Sequence, residues 1–182
     1  MRPLIREIRP EDARAFLEVH HAAVRGHASK DYSSEVIEAW APMPITAQHV
    51  EAVRSNPDGE YRLGAEIGGR LVGIGVVQKN ELRACYVTPS ASRRGVGSAL
   101  LREIERAARE QGTTYLEADY SLTAEPFYRS NGYLVRERGE HVLHNGQRMA
   151  CVKMRKTVTL QNSCRPCENS AAHQALREFR GL

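Results

Sequence analysis

The amino-acid sequence predicts an α/β fold built around a mostly antiparallel sheet. Two dipeptides typical of two-residue hairpin turns, Gly68-Gly69 and Asn145-Gly146, each separate segments rich in apolar and β-branched residues. The segment 97–111 carries apolar residues at helical spacing, and Gly112 follows it in a position typical of a helix end. These observations predict strands joined by tight turns, with an amphipathic helix packed against them.

The N-terminal part of the chain is predicted to form one strand followed by helices. Pro10 and the two carboxylates after it are typical of a helix start, because proline fits the first helical position and acidic groups stabilise the positive end of the helix dipole. Residues 25–60 show weaker periodicity, and we call them the lid segment. The expected elements are a strand over 4–8, a helix over 10–24, and short lid helices from 33 or 34 to 40 and from 46 to 54.

The middle of the chain is predicted to form a three-stranded meander. Gly68-Gly69 and Lys79-Asn80 supply its two turns, and Pro89 ends its third strand. The three strands are expected over 61–67, 71–77 and 81–87. On the third strand, period-two alternation predicts one shared face for Glu81, Arg83, Cys85 and Val87.

The remaining elements follow the helix over 97–111, which also carries a Glu105-Arg109 pair at i,i+4 spacing. A strand is expected over 114–120, a short helix over 124–131 closed by Gly132, and hairpin strands over 133–143 and 147–154. The predicted order is therefore β-α-(α)-β-β-β-α-β-α-β-β. After Lys156 the periodicity fades, so residues 157–182 are expected to form a poorly structured or loosely helical tail.

The chain has 182 residues, and this length and its composition favour one globular domain with a short appendage. The hydrophobic fraction of 41% and the charged fraction of 26% are ordinary for a globular protein. No apolar run approaches the ~18 residues of a membrane span. The N-terminal residues lack the features of a signal peptide, so we expect a cytoplasmic protein without membrane partners.

The formal net charge of +4 is too small and too dispersed to indicate a nucleic-acid partner. The tail after residue 155 holds four basic and two acidic side chains, which leaves little excess positive charge for the rest of the chain. The simpler interpretation of this positive charge is a surface of solvated basic groups. A homodimer is left open.

The segment 87–101 passes from a strand through a glycine-bearing loop into the amphipathic helix. Unpaired backbone N–H groups at such a helix start bind anions, and glycines let a pyrophosphate approach the main chain. The loop lacks the Gly-Lys-Ser/Thr of a P-loop and the three-glycine spacing of a dinucleotide fold. The string Ser92-Arg93-Arg94-Gly95-Val96-Gly97 resembles the acetyl-CoA signature of the GCN5-related N-acetyltransferase (GNAT) superfamily, Gln/Arg-x-x-Gly-x-Gly/Ala, with Ser92 in place of the usual Gln or Arg.

A second string, from Ser121 to Tyr133, resembles the same superfamily's Ala-x-x-Phe-Tyr-x-x-x-Gly-Phe/Tyr pattern on the helix after the fifth strand. The resemblance covers roughly residues 3–156, which we take as the N-acetyltransferase domain. It implies an α/β fold with a mixed, mostly antiparallel central sheet, helices on both faces, and a splayed parallel strand pair. The two splayed strands, ending at Val87 and Tyr120, leave a slot for the pantetheine arm.

The resemblance implies an acyltransferase that moves an acetyl group from acetyl-CoA to a primary amine by direct attack in a ternary complex, without a metal. Tyr128 matches the superfamily's common general acid for the thiolate, and Glu81 matches the catalytic glutamate of histone-type members. Ser121 occupies the place of a frequent cofactor-contacting Asn. The residues assigned to acetyl-CoA binding are Tyr86, Val87, Thr88, Ser92, Arg93, Arg94, Gly95, Val96, Gly97, Ser98, Ser121 and Tyr128.

Simpler interpretations remain open for both catalytic assignments. Tyr128 could serve only to pack beside Phe127, and Glu81 could be a solvated carboxylate beside a turn. A catalytically silent CoA-binding regulatory module is the alternative function. The acceptor is unspecified among small amines, antibiotics, amino acids and proteins, although Trp40, Tyr32 and Met43 suggest an apolar wall for its pocket.

The four cysteines are expected to be free thiols. Cys85 has no histidine beside it in the sequence, so a buried thiol is the simpler interpretation than a nucleophile. Cys164-x-x-Cys167 is half of a zinc site, and His173 is the only later histidine. Because tetrahedral zinc needs four ligands, we interpret this pair as part of the tail.

Overall fold

The structure, a computed structural model, describes residues 2–159. The elements are β1 (Leu4–Glu7), α1 (Ala13–His27), α2 (Ser34–Trp40), α3 (Ala47–Ser55), β2 (Tyr61–Ile67), β3 (Arg70–Gln78), β4 (Glu81–Val87), α4 (Val96–Glu110), β5 (Tyr115–Ser121), α5 (Glu125–Ser130), β6 (Leu134–Val142) and β7 (Arg148–Thr157). Short 3-10 turns precede α1 and α5 and follow β4. The element order agrees with the sequence prediction.

Seven strands form one mixed sheet in the order β1-β2-β3-β4-β5-β7-β6. All neighbouring strands are antiparallel except β4 and β5, which are parallel. These two strands pair at a single position, Glu81 with Glu117, and separate beyond it. The predicted splayed parallel pair is therefore confirmed, and the separation opens a gap in the middle of the sheet.

Helices cover both faces of the sheet. On one face, Leu100, Leu101 and Ile104 of α4 pack in the main core with Leu116 of β5 and Val152 of β7. The opposite face carries α1 and α2, whose Val24 and Ile37 form a second cluster against which Tyr86 of β4 packs. We call these the α4 face and the α1 face. The apolar residues of α4 recur at helical spacing, so they form one stripe that packs against the sheet and is buried there.

The strands β2 and β4 have the bounds expected from the sequence, but the predicted face on β4 is wrong. Val76 pairs with Ala84 whereas Val77 pairs with Leu82, so Arg83 is an extra residue in β4. Such a β-bulge shifts the side-chain alternation by one residue. Leu82, Cys85 and Val87 share the α4 face, because all three belong to or pack against the main core. Alternation then places Glu81 on the α1 face, opposite Cys85.

The end of the described chain continues the sheet. β7 runs to Thr157, and the Val158 N–H donates to the carbonyl oxygen of Thr114 at 2.8 Å. Val158 is buried. The predicted tail conformation and the Cys164-x-x-Cys167 pair lie outside the described residues. No helix in the described part of the chain is long and apolar enough to cross a membrane.

Candidate active site

The gap between β4 and β5 is the floor of a large open cavity of about 1820 Å³. Small-molecule sites are commonly ~300–1,000 Å³, so this cavity has room for two substrates. It is bordered by the start of α4, the end of β5, the start of α5 and the β6-β7 hairpin. The predicted cofactor residues lining it are Tyr86, Val87, Ser92, Arg93, Gly95, Val96, Gly97, Ser98, Ser121 and Tyr128. Thr88 and Arg94 do not line it.

The loop before α4 has the geometry of an anion site. Gly95 caps the helix in a left-handed conformation, φ 80°, and a Cβ built there would meet no atom within 4 Å. The first bond within the helix is from Ala99 N–H to the Gly95 carbonyl. The N–H groups of residues 96–98 therefore lack helical acceptors and lie at the positive end of the helix dipole. Arg93 adds a positive charge beside them.

At the end of β4, one of the two N–H groups of the residues assigned to acetyl-CoA binding, Val87 and Thr88, is already bonded within the sheet. The Thr88 N–H donates to the Val72 carbonyl of β3 at 2.9 Å, so it is not available to a ligand. Along an antiparallel strand the N–H groups point alternately to the two sides. Val87 therefore directs its N–H away from β3 and into the gap that β5 has left. Of these two N–H groups, that of Val87 therefore faces the gap and that of Thr88 does not.

Ser92 and Ser121 both use their hydroxyls within the protein. The Ser92 Oγ lies 2.9 Å from Nε2 of His27 at the end of α1 and 3.3 Å from the Thr88 carbonyl oxygen. The Ser121 Oγ accepts from the Ala124 N–H at 3.2 Å and so caps the turn that leads into α5. His27 was not among the predicted site residues, although it also lines the cavity.

Tyr128 is buried on α5 with its ring between other aromatic side chains. It stacks on Tyr120 with ring centroids 3.7 Å apart, and the rings of Phe127 and Tyr133 meet it edge to face at 5.1 and 5.3 Å. Burial and the neighbouring Cys85 and Tyr120 raise the pKa of Tyr128 well above its usual value. Tyr128 therefore stays protonated at neutral pH and is available as a donor to the cavity.

Cys85 lies beside Tyr128 on the α4 face of β4. Burial raises the pKa of its thiol to about 12, while the adjacent Tyr128 hydroxyl opposes that rise. A neutral thiol is a poor nucleophile. The structure thus favours the interpretation of Cys85 as a buried thiol.

Glu81 lines the closed end of the cavity but is tied to charged neighbours. Its Oε2 lies 3.3 Å from Nε of Arg83, and Arg83 also contacts Asp58 and Glu60 at 3.3 and 2.9 Å. The Glu81 side chain is 55% exposed. This environment suits a solvated carboxylate as well as a base acting through water.

A second carboxylate, Asp119 of β5, lies on the same α1 face and was missed in the sequence. Period two on β5 places Glu117, Asp119 and Ser121 together. The Arg155 guanidinium and the Asn80 amide hold Glu117, at 2.6 and 3.1 Å. Among the described residues the nearest partner of Asp119 is the His141 ring, whose Nδ1 lies 3.5 Å from Oδ2, and Lys153 is its register partner on β7. Glu81 and Glu117 are each paired with an arginine, whereas Asp119 has no arginine partner within residues 2–159.

The lid segment closes the cavity on the α1 side through Tyr32. The Tyr32 hydroxyl accepts from the Leu122 N–H at 2.8 Å and donates to the Ala150 carbonyl at 2.6 Å, which ties the lid to the end of β5 and the beginning of β7. Trp40 lines the cavity, with its ring 5.8 Å from that of Tyr32. Met43 is 54% exposed and lies outside the cavity. Of the three residues expected to form an apolar wall, Trp40 lines the cavity, and Tyr32 and Met43 do not.

Within residues 2–159, no group of three or more His, Cys, Asp or Glu side chains is placed to hold a metal ion. The site instead combines backbone donors, a phenol and carboxylates around a gap between two parallel strands. These parts together define an acyl-transfer class of site built on a mixed α/β sheet.

Comparison with known proteins agrees with that class. The chain matches the acetyltransferase (GNAT) domain family over residues 28–158, and it belongs to this family. It is 30% identical over 129 residues to an uncharacterized N-acetyltransferase, YafP, of Escherichia coli (strain K12), covering 71% of this chain and 79% of that protein. It is 29% identical to an aminoglycoside N(6')-acetyltransferase type 1 of Klebsiella aerogenes, covering 66% and 80%.

Solved structures share the fold. A GCN5-related N-acetyltransferase from Rhodopseudomonas palustris superposes with a TM-score of 0.79 at 28% identity, covering 86% of this chain and 96% of that one. PaiA N-acetyltransferase from Thermoplasma acidophilum, solved in complex with coenzyme A, superposes with a TM-score of 0.66 at 23% identity, covering 86% and 99%.

Proposed function

We propose that this chain transfers the acetyl group of acetyl-CoA to a primary amine on a small cationic acceptor, by direct attack within a ternary complex. One observation carries the proposal. The gap between β4 and β5 has the glycine loop at one end, the Tyr128 phenol on the α4 face and the Asp119 carboxylate on the α1 face.

The residues around the loop fit the donor substrate. Acetyl-CoA supplies an activated thioester and carries a pyrophosphate. The unpaired N–H groups of residues 96–98 would bind that pyrophosphate, and the open side of Gly95 allows close approach to the main chain. Arg93 would compensate its charge.

The Val87 N–H is the proposed donor to the thioester carbonyl. It points into the gap and is rigidly placed, because the next residue is bonded to β3. A preorganised donor that receives developing negative charge contributes ~3 kcal/mol to lowering the barrier. The hydrogen bond from Thr88 to Val72 is then a support for Val87, although Thr88 itself binds nothing in the cavity.

Tyr128 is the proposed proton donor to the departing thiolate. In water, a phenol of pKa ~10 donating to a thiolate of pKa ~8.5 is uphill by about 2 kcal/mol. Burial in this pocket raises the pKa of the Tyr128 phenol, and it also raises the pKa of the adjacent Cys85 thiol to about 12. A leaving thiolate in the same pocket would gain basicity for the same reason, which offsets the rise in the pKa of the Tyr128 phenol, so the phenol donates best to a thiolate that is buried as deeply as itself.

Asp119 is the proposed anchor and proton acceptor for the amine. An amine of pKa ~10.4 must lose a proton at pH 7 at a cost of roughly 4.6 kcal/mol before it can attack. A carboxylate beside the gap, without an arginine partner in the described part of the chain, would attract the cation and receive this proton directly or through His141. Glu81 acting through water is the competing assignment, and the same experiment tests it.

The acceptor class follows from this wall and from the relatives. Asp119 favours a cation, while Trp40 offers an aromatic surface for its carbon chain. Relatives named for aminoglycoside and spermidine acetylation share 29% and 27% identity with this chain. Polycationic amines are therefore the first acceptors to test.

The test is release of the CoA thiol from acetyl-CoA in the presence of spermidine, an aminoglycoside and an alanine-terminated peptide, with the product identified by mass. We expect turnover with at least one of the two polycations. Asp119→Asn should lower kcat/KM for that amine by ~10²-fold, as for loss of a proton acceptor, whereas Glu81→Gln should change it only slightly. Glu140→Gln, which alters an exposed carboxylate outside the cavity, is the matched control. The reverse ranking of the two site variants would assign the base to Glu81.

A catalytically silent CoA-binding module predicts a different result. Acetyl-CoA would bind, but no amine of the panel would release thiol above the rate without protein. That outcome would overturn the proposed transfer while leaving the cofactor site intact.

A further inference from the structure

The glycine loop begins at Ser92, where the superfamily pattern has a longer Gln or Arg. A serine side chain is too short to reach far across the loop. Its hydroxyl instead has two neighbours, Nε2 of His27 at 2.9 Å and the Thr88 carbonyl oxygen at 3.3 Å. A hydroxyl carries one proton, so if Ser92 donates to Thr88 then His27 Nε2 is the donor to Ser92.

His27 lies 65 positions earlier in the chain, on the last turn of α1. The adjacent Gly26 makes a second contact between α1 and the turn before the loop. A Cβ built on Gly26 would lie 2.4 Å from Cγ of Pro89, so this helix end and the turn are in close contact. Two consecutive residues of α1 thus hold the beginning of the loop.

The loop needs such support because its backbone is unusual. Arg93, directly after Ser92, has φ 61°. A non-glycine residue in the left-handed region is unfavourable and persists where its surroundings hold it. The contact between His27 and Ser92 is immediately next to this residue.

We infer that His27 is a positioning residue for acetyl-CoA binding, holding Ser92 and with it the loop that receives the pyrophosphate. The inference rests on the proposed function, because it assumes that the loop binds acetyl-CoA. It also makes the end of α1, a lid-side helix, part of the donor site.

The experiment measures acetyl-CoA affinity by calorimetry in His27→Ala, Ser92→Ala and the double variant, together with melting temperature. Loss of one hydrogen bond should raise Kd by about 3- to 10-fold. Ser92→Ala should raise Kd at least as much, because it also removes the contact with the Thr88 carbonyl, and the double variant should be no weaker than Ser92→Ala, because both contain the loss of the same contact between His27 and Ser92. His27→Gln, whose amide nitrogen can take the place of Nε2, should restore affinity.

Two readouts separate positioning from a general structural role. The melting temperature should fall by no more than about 2–4 °C, as for loss of one hydrogen bond in a protein of this size. The kcat at saturating acetyl-CoA should equal that of the wild type while KM for acetyl-CoA rises. His49→Ala, which alters a half-buried histidine on α3 outside the cavity, should leave Kd unchanged.

Several outcomes would overturn the inference. These are an unchanged Kd in His27→Ala, additive losses in the double variant, or a fall in affinity that His27→Gln does not restore. If the wild type binds acetyl-CoA but transfers nothing, the proposed function fails while the Kd series still decides this inference. If the folded wild type does not bind acetyl-CoA, both are wrong.

Discussion

The ring of Tyr128 on α5 lies stacked on the ring of Tyr120 on β5, with centroids 3.7 Å apart and planes inclined by 30°. Tyr133 completes the group with its ring edge toward both. The hydroxyls of Tyr120 and Tyr133 are buried without a hydrogen-bond partner among the described residues. The positions of Tyr120 and Tyr133 therefore depend on ring packing, and the same packing holds the ring of Tyr128 beside the gap.

Tyr128→Phe should keep this packing and remove the proposed proton donor. Acetyl transfer should fall by ~10²-fold or more, as expected for loss of a general acid, with acetyl-CoA affinity preserved. Steady-state rates and calorimetric titration check the two parts. Tyr133→Phe is the matched control, because it removes a buried hydroxyl from the same cluster and should leave turnover unchanged. Equal rates in wild type and Tyr128→Phe would exclude Tyr128 from the mechanism.

Gly95→Ala and Gly112→Ala compare the two ends of α4. Both glycines have left-handed backbones, φ 80° and 81°, with no atom within 4 Å of a built Cβ. Alanine in this conformation should cost each protein ~1–2 kcal/mol of unfolding free energy, measured by urea denaturation. Only Gly95→Ala should weaken acetyl-CoA binding, because only Gly95 adjoins the N–H groups of residues 96–98. Equal acetyl-CoA affinity in the two variants would show that the glycine loop is not part of the donor site.

The buried ion pair between Glu105 and Lys156 joins α4 to β7. Lys156 Nζ lies 2.8 Å from both carboxylate oxygens, and the Glu105 side chain is 8% exposed. Lys156→Met would leave an uncompensated buried carboxylate, so it should destabilise the protein by ~3–5 kcal/mol. Arg106→Met breaks exposed pairs on the same helix and should cost no more than ~1 kcal/mol. Similar losses in denaturant titration of the two variants would contradict this account of the pair.

Stability should fall with acidification because of His20. Burial lowers the pKa of His20 from 6.5 to about 4, where its ring meets Tyr86 edge to face. Between these values the unfolded chain binds the proton more tightly, so stability is lost as pH falls from 6.5 toward 4. At pH 5 the loss should be about 2 kcal/mol relative to pH 7.

His20→Phe isolates this contribution, since it keeps an aromatic ring and removes the titrating group. Its unfolding free energy should change by about 2 kcal/mol less than that of the wild type between pH 7 and pH 5. His21, whose pKa burial also lowers, contributes with the same sign in both proteins. Parallel pH profiles of wild type and variant would show that His20 does not carry the effect.

Local patterns predicted most of the fold, since hairpin turns and apolar periodicity depend on neighbouring residues. The strands 61–67 and 81–87 have their expected bounds for this reason. The face of Glu81 was predicted wrongly because period two assumes an uninterrupted register, and the bulge at Arg83 is a property of how β4 pairs with β3.

The site was predicted where the chain carries a recognisable string and missed where contacts are distant. The glycine loop and Tyr128 belong to such strings. His27 meets Ser92 across 65 positions, which a local pattern does not show. In the sequence, Asp119 cannot be distinguished from any exposed carboxylate. It lines the cavity only because β5 lies apart from β4 at this point. Alternation from Ser121 back along β5 was the signal that could have found it.

Calorimetric titration with acetyl-CoA, on the wild type and on Gly95→Glu, tests the central claim most directly. The account predicts one saturable site in the wild type and its loss in the variant, because a carboxylate at position 95 would repel the pyrophosphate and fill the open side of the loop. The absence of binding to the folded wild type, or equal affinity in Gly95→Glu, would contradict the assignment of the glycine loop and the gap as the donor site.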